Sequence, residues 1–449
     1  MKFKTIFCVI IFSLVIIGFL MSEEKYNDNW PNWRGPNDDG VSLNSNPLTE
    51  WSETKNVKWK TPIPGKGLGT PVIWGDQIFI TTAIKLDEKG TKEAIKRLKK
   101  RSNIFFRMTP MNKSTKNILQ FVVYSIDRNT GEIIWQKVAR EQFPHEGVHK
   151  EGSWASASCV TDGNHVIASF GSYGVYCFDL KGEMIWEKDL GDMQVEATFG
   201  EGASPVLYKD KLIILWDHQG HTKLFVLNKE SGEEIWQKDR EEGTTWTTPI
   251  VVEIEGNTQI VVPGETKSIG YDLVDGNEIW ELAGLGDGVI SCPVFDGERV
   301  FLMTGFMKSK IVQAVDLKSA KGNLENSDAV IWTYDKGTSY VPSPLLKDGK
   351  LYYLKGSRAQ ISCVDSKTGK IYYDTVKPEG MKGAYASPVA ANGYIYFIDR
   401  KGNCSVIKEG EKFELVSQNK LDDNFDASPV TIGDQLFLRG WNSLYCISK

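Results

Sequence analysis

The sequence predicts an all-β protein, an eight-bladed β-propeller of four-stranded antiparallel blades closed by the N- and C-terminal strands in one blade. Three observations predict it: a short apolar segment opens eight times on a Ser-Pro-Val-like triplet, six of those segments lead to a Gly-x-x-x-Trp-like ending, and no helical pattern intervenes. The triplets are Thr70-Pro71-Val72, Ser158-Cys159-Val160, Ser204-Pro205-Val206, Thr248-Pro249-Ile250, Cys292-Pro293-Val294, Ser343-Pro344-Leu345, Ser387-Pro388-Val389 and Ser428-Pro429-Val430. Their first residues are spaced by 88, 46, 44, 44, 51, 44 and 41. β-rich units repeating at about 40–45 residues are the pattern of propeller blades. The doubled first interval places an insertion in blade 1.

Residues 203–240 show how one repeat makes a blade. An apolar segment through Leu207 turns at Lys209-Asp210, a strand runs from Leu212 to Trp216, and a connection at His218-Gln219-Gly220 leads to a strand from Lys223 to Leu227. A turn at Lys229-Glu230-Ser231-Gly232 then starts the last strand through Trp236. The first hairpin turn recurs as Gly75-Asp76, Asp162-Gly163, Asp296-Gly297, Asp348-Gly349, Asn392-Gly393 and Gly433-Asp434, residues that supply the positive φ of tight hairpins. Trp135, Trp186, Trp236 and Trp280 each stand four residues beyond the glycine of the second turn, Tyr373 takes that place in blade 6, and Trp332 follows a longer turn. A large flat ring at one place per repeat fills the gap between adjacent twisted sheets. Blade 7 departs, with Phe413 and Leu415 where the ring belongs.

Closure is legible too. The C-terminus runs out after three strands (428–432, 435–439 and 443–447), and Asn56-Val57-Lys58-Trp59-Lys60 has the composition of the missing fourth. A ring shut in this way exposes no edge strand to a second copy, so a monomer is expected.

Ahead of the propeller (55–449) lie a basic-apolar leader (1–22) and an extension (23–54). Lys2 and Lys4 precede an apolar run from Ile6 to Met21, followed by the polar Ser22-Glu23-Glu24-Lys25. This is the pattern of an export signal, or of a short N-terminal anchor giving membrane association through residues 6–21. The expected location is periplasmic or extracellular. The other basic stretch, residues 85–120 with Lys92, Lys96, Arg97, Lys99, Lys100, Arg101, Arg107, Lys113 and Lys116, interrupts blade 1 between its second and third strands and is read as a solvated excursion with a helix near 93–100, the alternative being a foot on anionic lipid or an acidic polymer. Export permits disulfides, yet Cys177, Cys363 and Cys446 hold one repeat position and Cys404 sits close to it, so burial as small apolar residues is expected. No Cys-x-x-Cys or His-x-x-x-His spacing marks a metal centre. A net charge of -5 and the absence of a basic fold signature set nucleic acid aside.

In an antiparallel meander the start of strand one and the connection from strand two to three share one end, the mouth where a ligand site belongs. Residues just ahead of the triplets are Lys66, Trp154, Glu201, Trp246, Tyr340, Tyr385 and Asp426; the connections bring Asp217, His218, Glu265, Lys355, Arg358, Arg400 and Arg439. Carboxylates, cations and rings together suit an anionic or polyhydroxy ligand. The candidate ligand ring is Lys66, Trp154, Glu201, Asp217, Trp246, Arg400, Asp426 and Arg439. The competing reading, in which rings plug the mouth and charges pair across it, ranks ahead of catalysis, since no Ser-His-Asp or paired-acid motif is present.

The Gly-x-x-x-Trp ending, with Trp33-Arg34-Gly35-Pro36, Phe170-Gly171-Ser172-Tyr173-Gly174, Trp216-Asp217-His218-Gln219-Gly220, Arg240-Glu241-Glu242 with Trp246, Gly305-Phe306 and Tyr340-Val341-Pro342-Ser343-Pro344, resembles the bacterial PQQ-like (pyrroloquinoline-quinone repeat) β-propeller proteins. The resemblance covers the chain from Trp33 onward and implies two function classes. One is a non-catalytic propeller similar to the scaffold subunit of the outer-membrane β-barrel assembly machine, offering a surface to a protein, a carbohydrate or a small anionic ligand in the central channel. The other is a PQQ- and calcium-dependent oxidoreductase acting on alcohols or sugars; its relatives carry adjacent cysteines over the cofactor, and this chain has no Cys-Cys pair. Under that second implication Trp246 or Trp154 would stack on PQQ, Arg400, Arg439 and Lys66 would meet its carboxylates, and Glu201, Asp217 or Asp426 would serve Ca²⁺. The sequence is read as the first class, with the second as alternative.

Overall fold

A computed structural model describes residues 26–101 and 111–449. The apolar run 6–21 and the middle of the basic insertion lie outside the described residues. Eight antiparallel sheets follow one another around an axis, each with its short innermost strand at the channel. Blade 3 is representative: Val206–Tyr208, Lys211–Trp216, Thr222–Asn228 and Glu234–Arg240 pair in order. Among the described residues no helix is long and apolar enough to cross a membrane.

The recurrent triplets have a common physical role. The backbone N–H of each opening residue donates to the side chain of the next blade's opening residue, from Thr70 to Ser158, Ser204, Thr248, Cys292, Ser343, Ser387 and Ser428 and back to Thr70. The eight contacts measure 2.8–3.1 Å and form one closed circuit around the axis. A residue here must accept through a short side chain, which is why Ser, Thr and one Cys occupy the position and why buried N–H groups at the narrowest part of the ring have partners.

The Gly-x-x-x-Trp ending joins neighbouring blades. Trp59, Trp135, Trp186, Trp236 and Trp332 donate Nε1–H to the carbonyls of Arg128, Leu180, Lys229, Leu273 and Ser366 in the following blade, at 2.8–3.1 Å. Each ring lies on the turn glycine of that blade: a Cβ at Gly131, Gly182, Gly232, Gly276 or Gly369 would come within 2.7–2.9 Å of the indole, and φ there is 70–82°. Both steric and backbone reasons therefore require glycine. Across the sheet, the third-strand residue paired with the ring is small: Ser125, Cys177, Val226, Gly270, Ala314, Cys363 and Cys446. The recurring cysteines thus sit beneath rings; all six described cysteines are free and buried. Trp280 departs, donating instead to Gln259 Oε1 of its own blade at 2.7 Å. Blade 5 has a longer turn, part of which, Gly322–Asn323, pairs beside Trp280 as a fifth strand of blade 4.

The two chain ends meet as the sequence predicts. Val57–Pro62 pairs antiparallel with Ser443–Ile447, with Trp59 opposite Cys446 and Lys60 opposite Tyr445. The extension ahead of it crosses the axis. Trp30 exchanges backbone bonds with Ile73 of blade 1, Val41–Ser42 adds in parallel to Val389–Ala391 of blade 7, and Trp51 N–H donates to Asn419 Oδ1 at 2.8 Å. Between them Arg34 is buried, donating to the carbonyls of Pro344, Pro388 and Asp39 at 2.8, 3.0 and 3.1 Å. Trp33 donates to Ser428 Oγ at 3.3 Å. Residues 30–41 therefore stopper the channel at the end away from the mouth.

The insertion is less detached than its composition implies. Its stems prolong the second and third strands of blade 1, Gln77–Lys89 and Asn117–Asp127, and a helix spans Lys92–Arg101. The returning arm folds onto the mouth instead of standing in solvent: Asn112–Lys113 pairs with Val148–His149, and Asn112 Nδ2 donates to Ala197 O at 2.6 Å and Thr198 Oγ1 at 3.0 Å.

Candidate functional site at the propeller mouth

The charged residues nominated from sequence are brought to one end, and most are committed to each other. Arg400 is the hub. Its Nε and Nη2 meet the two oxygens of Asp426 at 2.6 and 3.2 Å, its Nη1 meets Glu151 Oε2 at 2.6 Å, and its guanidinium lies over the Tyr385 ring at 4.1 Å. Trp441 donates to Asp426 Oδ2 at 2.8 Å, and Lys66 stands 3.5 Å above the Trp441 ring while donating to Glu151 O at 2.9 Å. Burial, reinforced by nearby Lys113, pushes the Lys66 ammonium down to about 8. Glu151 is held below the usual carboxylate range because Arg400 more than offsets the effect of burial.

Two nominated residues are enclosed in the wall. Asp217 has no exposed side-chain surface: Arg240 Nε and Nη2 hold it at 2.9 and 3.3 Å, and Thr245 Oγ1 donates at 2.8 Å. Arg439, 2 % exposed, bolts blade 8 to blade 1 by donating to Gly69 O at 2.8 Å and to Thr81 O; burial pushes it down to about 10. His218 is likewise structural, accepting from Gln194 and Gly220 N–H groups on Nδ1 and contacting His221 O through Nε2.

The aromatic residues close the mouth around these charges. Trp154 and Trp246 donate to Glu146 O and Gly200 O at 3.1 and 2.7 Å, and Tyr340 stacks on Phe306 at 4.8 Å. Glu201 lies between the two tryptophans' loops, accepting from Ser172 N–H at 2.7 Å and Ser172 Oγ at 2.6 Å. Burial raises it to about 7, with Glu146 and Asp192 adding to the effect. Glu265 is raised to about 7 by burial and by Asp287. Lys355 is half-buried and Arg358 exposed at the blade 6 connection, apart from the Arg400 network.

Glu201 gives the mouth a pH signature. Its folded value near 7 exceeds its ordinary 4.5, so between those limits the folded chain holds a proton that the unfolded chain has released, and Glu201 costs stability as pH rises through the window. Glu201→Gln keeps the neutral shape. Its melting temperature relative to the parent is expected to rise by about 1–3 °C from pH 5 to pH 8, measured by differential scanning calorimetry; an unchanged difference contradicts the assignment.

The carboxylates that the resemblance implies for Ca²⁺ are committed to other partners. Asp217 is consumed by Arg240, Asp426 by Arg400 and Trp441, and Glu201 by Ser172. Among the described residues no three His, Cys, Asp or Glu side chains converge to hold a metal ion. Calcium needs about six to eight oxygen ligands at one point.

Sequence reasoning did not assign Glu151, Trp441, Arg240 or Lys113 to the mouth. Trp441 was within reach of the same argument that nominated Arg439, since the blade 8 connection continues through it; along that strand Arg439 turns inward and Trp441, past the strand end, faces the mouth. Arg240 ends an outer strand and Lys113 belongs to the insertion, so neither falls where the repeat places mouth residues.

No curated protein sequence matches the chain. The structure is similar to BamB from Moraxella catarrhalis (TM-score 0.53, 12 % identity, 82 % of this chain and 98 % of that one). It is also similar to a europium-containing methanol dehydrogenase (0.62, 11 %, 93 % and 91 %) and to a quinohemoprotein alcohol dehydrogenase from Comamonas testosteroni (0.57, 10 %, 93 % and 80 %). At such identities the likeness is one of fold. The family model of the outer membrane protein assembly factor BamB matches residues 120–375 and, in a second overlapping placement, 226–449. With blades 2–7 and the three C-terminal strands of blade 8 inside that match and the repeat's glycine–tryptophan joints in place, the chain belongs to the BamB family of PQQ-like repeat propellers.

Proposed function

We propose that the chain is an exported, non-catalytic propeller that serves as a binding or scaffold module. The observation that carries this reading is the Arg400 network, in which the mouth's central cation and its carboxylates neutralise one another while tyrosine and tryptophan rings cover them. The stopper at Arg34 supports it, because the channel is filled from the far end. Family membership points the same way, toward a surface used in outer membrane protein assembly, and the apolar run Ile6–Met21 supports export.

Melting the purified chain with PQQ and CaCl₂, followed by dye reduction with alcohols and aldoses, tests this reading. A ligand present at about 100 times its Kd adds about 2.7 kcal/mol to stability. The expected result is no calcium-dependent shift and no turnover. A PQQ shift that requires calcium, together with dye reduction, would replace this reading with that of a quinoprotein oxidoreductase.

A further inference from the structure

The returning arm of the insertion builds a pocket that no part of the Arg400 network fills. It measures about 280 Å³ and lies where the start of blade 1, the end of its second strand and the start of blade 2 meet under the arm. Lys66, Lys85 and Lys113 line it with Ser114, and Trp154 and Leu119 supply the apolar wall. Its lining contains no carboxylate.

Three cations around one cavity are unfavourable unless something balances them. Glu151 and Asp426, the nearest acids to Lys66, are held by Arg400. Lys66 therefore uses an aromatic face and a backbone carbonyl, and Lys113 sits 5.7 Å over the Trp154 ring. Burial lowers both ammonium groups from their ordinary 10.5, and the nearby Lys113 lowers Lys66 further. Neither lysine is a loose surface group: Lys113 is fixed by its strand pairing with Val148, and Lys66 by backbone bonds in both directions with Ala83. Positioned cations, a hydroxyl and a dry wall are the elements of oxyanion recognition.

We infer that this pocket binds a phosphate group, with Lys66 and Lys113 as its paired cationic contacts, Lys85 at its rim and Ser114 as a hydroxyl donor. The inference goes beyond the scaffold reading and stands without it: phosphate binding fails or succeeds independently of the PQQ result. A phosphate can arrive free or as a phospholipid headgroup.

Isothermal titration of the full chain with inorganic phosphate, at constant ionic strength in chloride, is the test. Saturable binding is expected, weakened at least tenfold by Lys113→Gln and by Lys66→Gln, and unchanged by Lys58→Gln on the far outer strand. Thermal melts of each variant establish that it is folded, and Lys113→Arg, which keeps the charge, is expected to retain binding. Flotation with phosphatidylglycerol against phosphatidylcholine vesicles separates the sources: Lys113-dependent flotation on the first assigns the headgroup, and phosphate binding without flotation assigns a free ligand. Absence of phosphate binding, binding indifferent to both lysines, or equal loss in Lys58→Gln overturns the inference.

Discussion

A chain that stops at Asn442 is expected to lose cooperative unfolding altogether. The deletion removes Leu444, Tyr445, Cys446 and Ile447, none of which has exposed surface, and it strips Val57–Pro62 of its only sheet partner in blade 8. Burial of one large apolar side chain contributes about 1.5–3 kcal/mol. Leu444, Tyr445 and Ile447 together are comparable to the whole net stability of a domain, about 5–15 kcal/mol. Opening the circle also leaves the edge of blade 8 unpaired and free to recruit other chains. Size-exclusion chromatography should show aggregates, and circular dichroism a broad melt without a single transition. A compact monomer with a sharp transition would mean that closure is not what holds the ring.

Asp217→Ala is expected to destabilise the chain by about 3–5 kcal/mol, because it leaves the Arg240 guanidinium buried without a counter-charge. Tyr271 OH, the other partner of Arg240 at 2.7 Å, cannot replace a carboxylate. Replacing both members by apolar residues of similar size, Asp217→Leu with Arg240→Met, should recover most of the loss, since the pair's own net contribution is small once both charges leave. Urea midpoints of the two single variants and the double variant measure the coupling directly. If Asp217 instead served calcium, its removal would be mild in chelator and severe only with the metal present. That pattern would overturn the wall assignment.

Much of this architecture is legible in the chain because the repeat writes the same physical requirements blade after blade. A short accepting side chain at every strand start, a glycine that accepts the neighbouring indole and a small residue under that indole are local demands, so they leave local marks. The closing strand was readable for the same reason: Trp59 is a docking ring like those of blades 1, 2, 3 and 5, lying in sequence far from the blade it completes. The mouth is harder to read. Spacing locates the residues that reach it, yet whether an acid faces solvent or a buried arginine depends on partners supplied by other blades. Asp217 and Asp426 occupy comparable ends of their blades; one meets Arg240 within the wall, the other Arg400 in the open mouth. The insertion left no repeat to compare, so Lys113 read as one more basic residue although strand pairing carries it back to the axis.

The hydrogen-bonded circuit at the strand starts has a consequence for how such a chain can change. Every blade supplies one donor and one acceptor in the same sense, so each link is the same whichever two blades it joins. A duplicated or lost blade would bring or remove a complete link with it, leaving no orphaned group behind. The girdle is thus indifferent to the size of the circle it closes.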